Sequence, residues 1–99
     1  MAKTVLIVDD NHRLREILAC ALQREGFKTL EAGTGLEAIQ TAVVNTPDVI
    51  MLDLELPDME GTNVARFLKS QARRRQTLQS LAGLAIWASG LGNPLWLPV

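Results

Sequence analysis

Two uninterrupted apolar runs, Val5-Leu6-Ile7-Val8 and Val49-Ile50-Met51-Leu52, each lead directly into acid: Asp9-Asp10 after the first, Asp53 after the second. Runs apolar at every position and rich in Val and Ile predict strands covered on both faces, as in a parallel sheet between helices. After the first run, Leu14, Ile17, Leu18, Ala21 and Leu22 recur at the spacing of one helix face. Asp10 or Asn11 can cap that helix and Gly26 stops it, with Arg13, Arg15, Glu16 and Gln23 on the wet side. Phe27 to Ala32 alternates apolar and polar, as a half-exposed edge strand does. Thr34-Gly35-Leu36-Glu37 forms a capping box for a second helix that packs through Leu36, Ile39, Ala42 and Val43 and ends at Asn45-Thr46-Pro47. Asp48 to Leu52 is the next strand. A turn at Pro57-Asp58-Met59-Glu60-Gly61 opens a third helix carrying Val64, Phe67 and Leu68. The pattern is βαβαβα, and right-handed crossovers turn it into an α/β, doubly wound parallel sheet with helices on both faces.

Ninety-nine residues, 47% apolar and 21% charged, suffice for one domain and one core. A net charge of -1 argues against a nucleic-acid surface. Cys20 is the only cysteine, so no intrachain disulfide can form and a reducing compartment is the simplest setting. Cys20 itself lies off the packing stripe and reads as a small space-filler, and the lone His12 as a surface residue. The apolar run between Lys3-Thr4 and Asp9 is too short for a secretory signal, which places the chain in the cytoplasm.

Parallel strands ending at Asp9-Asp10 and Asp53 would bring three carboxylates to the sheet edge where open α/β folds bind ligands. Like charges that close cannot all ionise unaided, and an all-oxygen set suits Mg²⁺. Capping accounts for one acid of the three. Two other motifs compete. Gly33-Thr34-Gly35-Leu36-Glu37-Ala38 matches a dinucleotide fingerprint with Asp53 twenty residues on, but Lys28 and Glu31 mark the preceding strand as an edge, not the central apolar strand such a turn requires. Asp53-Leu54-Glu55 has the spacing of a haloacid-dehalogenase nucleophile, yet no lysine and further acid pair follow.

The segments VLIVDDN, AGTGLEA and PDVIMLDLELPDMEG, spread over roughly residues 3 to 69, resemble the receiver domain of two-component response regulators. The resemblance implies a flavodoxin-like sheet of order 2-1-3-4-5 and a phosphorelay role. Asp53 would be the phosphoacceptor, exposed at its strand end, attacking a phosphohistidine. Asp9, Asp10, Asp53 and the main-chain carbonyl of Glu55 would hold Mg²⁺, with the Glu55 side chain at the site mouth. The chain would then be a self-phosphorylating acceptor and no turnover enzyme. Its partners would be a histidine kinase or phosphotransfer protein and a downstream protein target, since 99 residues leave no room for an output domain. The alternative is a pseudo-receiver that interacts without switching.

The last third departs from that family. After Arg73-Arg74-Arg75 no charged residue occurs through Val99. Residues 1–69 therefore read as a receiver-like core and 70–99 as an atypical tail with a fourth strand at 84–88, which makes Ser89 the candidate switch hydroxyl. Leu95-Trp96-Leu97-Pro98 resembles a fifth strand with Leu97 where the family has its phosphate-pairing lysine. A closing helix is missing, so apolar surface on the first and third strands is expected to lie uncovered and to favour a homodimer. A natural short variant, a frameshifted product, or a tail with another task would each fit. Arginines ahead of an uncharged stretch with Trp87 and Trp96 also resemble a membrane anchor, which Gln76, Gln79, Ser80, Asn93 and two prolines disfavour. The plain reading of the arginines is a solvated helix end.

Overall fold

The computed structural model describes residues 2–74, 78, 80–87 and 95–99. The elements run β1 (Thr4–Val8), α1 (His12–Arg24), β2 (Lys28–Ala32), α2 (Gly35–Asn45), β3 (Val49–Asp53), α3 (Gly61–Arg73), β4 (Gly83–Trp87) and β5 (Leu95–Pro98). They form one five-stranded sheet of order β2-β1-β3-β4-β5. The first four strands are parallel, with Val8 opposite Leu52 and Asp53 opposite Trp87. The order and the edge position of β2 agree with the sequence expectation.

The all-parallel expectation fails at β5, which pairs antiparallel with β4, Ile86 opposite Leu95 and Gly83 opposite Pro98. The cause is chain length. A parallel return needs a crossover of a dozen or more residues, and only residues 88–94 separate the two strands, enough for a hairpin. Leu97 consequently stands on the edge strand opposite Leu84, near the start of β4, whereas Asp53 lies opposite Trp87 at the end of β4, so Leu97 is not brought beside the acid cluster. The fourth strand also starts one residue earlier than expected, and Ser89 falls outside the described residues.

Alternation along the strands builds a core on each face. Leu6, Val8, Ile50, Leu52 and Leu84 pack with Ala38 and Ala42 of α2 and with Val64, Ala65 and Leu68 of α3. On the other face Val5 and Ile7 lie under α1 through Ala19, Leu18 and Leu22. This face of β1 is thus covered by α1, contrary to the expectation that it would lie bare, while Val49 and Met51 of β3 are half-buried. Trp96 shares that face and lies over Gly83, where an added Cβ would meet the indole ring at 2.6 Å.

The packing stripes are narrower than the periodicity suggests. In α1, Leu18, Ala19 and Leu22 turn inward while Ile17 is 59% exposed, and Ala21 and Cys20 are exposed too, so Cys20 fills no space in the core. In α2 the buried residues are Gly35, Ala38 and Ala42; their small side chains let the helix sit close to the sheet, and Leu36 and Val43 are displaced to its exposed flanks. Phe67 of α3 is likewise 41% exposed.

The helix ends carry the signals expected of them. Asn11, not Asp10, is the N-cap of α1, its Oδ1 accepting from the Leu14 N–H at 3.1 Å. Gly26, at φ 91°, closes that helix in a Schellman motif: Phe27 N–H donates to Leu22 O and Gly26 N–H to Gln23 O. No helix among the described residues is long and apolar enough to cross a membrane.

Candidate phosphoryl and metal site

β1 and β3 are neighbours in register, so the residues that follow them emerge at the same edge. Asp9, Asp10 and Asp53 each bring a carboxylate oxygen within 4.8 Å of the others. Asp9 and Asp53 are buried and Asp10 is exposed, so the cluster has a covered floor and a wet rim. The convergence expected from the two apolar runs is present. The exposure expected of Asp53 is not: the residue is fully buried, and the first turn of α3 lies against its main chain. The Gly61 N–H donates to Leu54 O at 2.8 Å, and a Cβ at Gly61 would run into the Asp53 carbonyl oxygen and Leu54 Cα. Only glycine permits that approach.

The carboxylates are held by main-chain groups. Asp53 Oδ1 accepts from Glu55 N–H at 3.1 Å and Asp9 Oδ1 from Asn11 N–H at 2.9 Å. Asp53 Oδ2 is buried with no hydrogen-bond donor among the described residues. Burial pushes the Asp53 carboxyl above its ordinary range, and the charges of Asp9, Asp10 and Glu55 add to the rise, while the Glu55 N–H opposes it. A buried, donor-less carboxylate oxygen beside two further acids fits a hard divalent cation with oxygen ligands. Glu55 is exposed beside the cluster and bridges to Glu60 through the backbone.

Two supporting residues were hidden from sequence reasoning. Arg15, expected on the wet side of its helix, has a side chain only 15% exposed. Its guanidinium donates to the Asp9 carbonyl at 2.6 Å and to Glu31 at 3.2 Å, tying the end of β1 to β2 across the helix. Asp58 caps α2 from the β3–α3 loop, its two oxygens accepting from Gly35 N–H at 2.7 Å and Leu36 N–H at 2.9 Å. The capping box accounts for the next donor, with Thr34 Oγ1 accepting from Glu37 N–H, while the Glu37 carboxylate reaches Gly33 N–H instead of the cap residue's own. His12 is a surface residue as expected, paired with Glu16 at 3.0 Å.

The Gly35 and Leu36 N–H groups hold the Asp58 carboxyl below its ordinary value of 3.8. A depressed carboxylate stabilises the fold above the unfolded value and stops doing so as pH falls through the folded one. Asp58→Ala is therefore expected to lower Tm by a few degrees at neutral pH, with the difference closing in acid below the ordinary carboxylate range. Hydrogen exchange at Gly35 and Leu36 should quicken at neutral pH; unchanged exchange there would contradict the cap.

A family model for the response regulator receiver domain matches residues 5–80. The transcriptional regulatory protein SrrA of Staphylococcus aureus is 45% identical over 69 residues, covering 70% of this chain but only 29% of SrrA. Among solved structures, chemotaxis response regulator CheY4 of Vibrio cholerae superposes with a TM-score of 0.75 at 27% identity, covering 87% of this chain and 68% of that one. The non-phosphorylated HemR receiver domain from Leptospira biflexa gives 0.73 at 26% identity, covering 91% and 67%.

Proposed function

Because this chain belongs to the response regulator receiver domain family, we propose that it accepts a phosphoryl group on Asp53 from a histidine kinase or phosphotransfer protein in the cytoplasm, and signals through protein–protein contacts. The observation that carries this is the Asp53 carboxylate, with Oδ1 pinned by an amide and Oδ2 left without a donor beside Asp9 and Asp10. The Asp53 carboxylate is the nucleophile: its O–P bond forms as the N–P bond of the phosphohistidine breaks, leaving neutral imidazole after protonation. Asp9, Asp10, Asp53 and the Glu55 carbonyl would hold Mg²⁺, which when bound neutralises phosphoryl charge. The Glu55 N–H fixes the acceptor's rotamer, and Arg15 fixes the backbone that carries Asp9. Asp10 is the exposed member, so the donor enters from its side. The domain is consumed as an acceptor and is not a turnover catalyst.

One feature favours the second reading, a pseudo-receiver that interacts without switching. No lysine follows Lys69, and β5 runs so that its C-terminal end lies away from Asp53. Acetyl phosphate with Mg²⁺, followed by intact-mass measurement, tests the first reading: wild type should gain one phosphoryl group and Asp53→Asn none. Equal labelling of both proteins, or of neither, would sink it.

A further inference from the structure

The charges of this chain are segregated, which its net value of -1 conceals. All eleven acids lie within residues 1–60, and five of the ten cations within 66–75. α3 gathers four of those five on one ridge: Arg66, Lys69, Arg73 and Arg74, with Ser70, line a shallow groove of about 370 Å³. Their spacing i, i+3, i+7, i+8 keeps them on one side over about 12 Å of helix. None makes an ion pair among the described residues. Attraction to the helix dipole explains Arg73 and Arg74 in the last turn but not Arg66 and Lys69 above them. Phe67, half-exposed, adjoins the ridge, since it lies next to Arg66, one turn before Ser70 and two turns before Arg74.

We propose that this ridge binds single-stranded nucleic acid, the cations tracking phosphates and Phe67 offering its ring to a base. A row of unpaired cations beside an exposed aromatic side chain is what a repeating phosphodiester with stackable bases requires. An anionic membrane is a poorer match, because Val64, Ala65 and Leu68 are buried against the sheet and leave α3 no apolar face to insert. An acidic protein would satisfy the cations but gives Phe67 no role. The ridge runs from the middle of α3 to its C-terminal end, whereas the acid cluster adjoins its N-terminal end, so binding should not depend on phosphorylation.

The test is fluorescence anisotropy of the full chain with a labelled oligothymidylate across a salt series. Binding is expected at about 10⁻⁴ to 10⁻⁶ M, with log affinity falling at a slope of about -3 against log salt, as four phosphate contacts on a single strand give. Arg66→Ala/Arg73→Ala should weaken binding tenfold or more and bring the slope to about -1.4, while Arg66→Lys/Arg73→Lys restores both. Phe67→Ala should cost about fivefold on the single strand. Thermal melts of each variant separate lost binding from lost fold, and the Lys pair keeps the test intact if the Ala pair unfolds. Absent binding at low salt, an unchanged slope in the Ala pair, an unaffected Phe67→Ala, or equal affinity for anionic phospholipid vesicles or polyglutamate would each overturn the proposal.

Discussion

Asp53→Asn is expected to make the metal-free protein more stable at neutral pH, by on the order of 1–3 kcal/mol, the cost of an imperfectly satisfied buried polar group. For a chain of this size that is roughly 4–8 °C in Tm for each kcal/mol. The reason is that the wild-type carboxylate is buried among like charges with one amide to offset them. Its raised pKa means the folded chain keeps that proton to higher pH than the unfolded chain does. Stability contributed by the protonated form is fully present below the ordinary value of 3.8 and is lost as pH climbs through the folded value. The advantage of Asp53→Asn, measured by urea denaturation in EDTA, should therefore be small at pH 4 and grow toward pH 7. Mg²⁺ should reverse the ranking, since a ligand at a hundred times its Kd adds about 2.7 kcal/mol to the species that binds it. A variant less stable than wild type in EDTA at every pH would show that the carboxylate is compensated some other way. Tm values of the two proteins rising equally with Mg²⁺ would remove Asp53 from the cation site.

Gly61→Ala should be among the most damaging single-methyl additions to this protein, costing about 3 kcal/mol or more, at the upper end for overpacked sites. The new Cβ would meet main chain, the Asp53 carbonyl oxygen and Leu54 Cα, and neither can rotate away. Relief requires moving the start of α3 from the end of β3, which breaks the Gly61 N–H bond to Leu54 and shifts Asp53 with it. The expected result is a Tm loss of more than 10 °C together with weaker Mg²⁺ stabilisation. Gly35→Ala is the informative contrast. Its Cβ would collide with Met59, a flexible side chain that can turn aside, and press less closely on a Val64 methyl at 3.1 Å, with no main chain in the way, so a smaller loss is expected. If Gly61→Ala melts within a degree or two of wild type, the loop after β3 is softer than its contacts imply.

The architecture was legible where a local pattern had one physical solution. The apolar runs could only be covered strands, the alternation from Phe27 marked an edge, and Asn11, Gly26 and Thr34 act within a few residues of their own positions. The convergence of Asp9, Asp10 and Asp53 followed from two parallel strands being neighbours. The direction of β5 was open to the same reasoning, because residues 88–94 are too few for a crossover, but resemblance to a longer family pointed the other way.

The amino-acid sequence by itself determined which segments are strands and helices and that two apolar strands each run into acid, because periodicity and short-range hydrogen bonding depend only on neighbours along the chain. The tertiary structure alone decided that Asp58 caps a helix beginning 23 residues before it, that Arg15 reaches under to the Asp9 carbonyl, and that Ile17, Leu36 and Val43 stay in water. It also decided that Asp53 is buried and that Gly61 of α3 lies against its main chain. Such contacts depend on how closely one element approaches another, a distance set by the summed volumes of side chains far apart in the sequence.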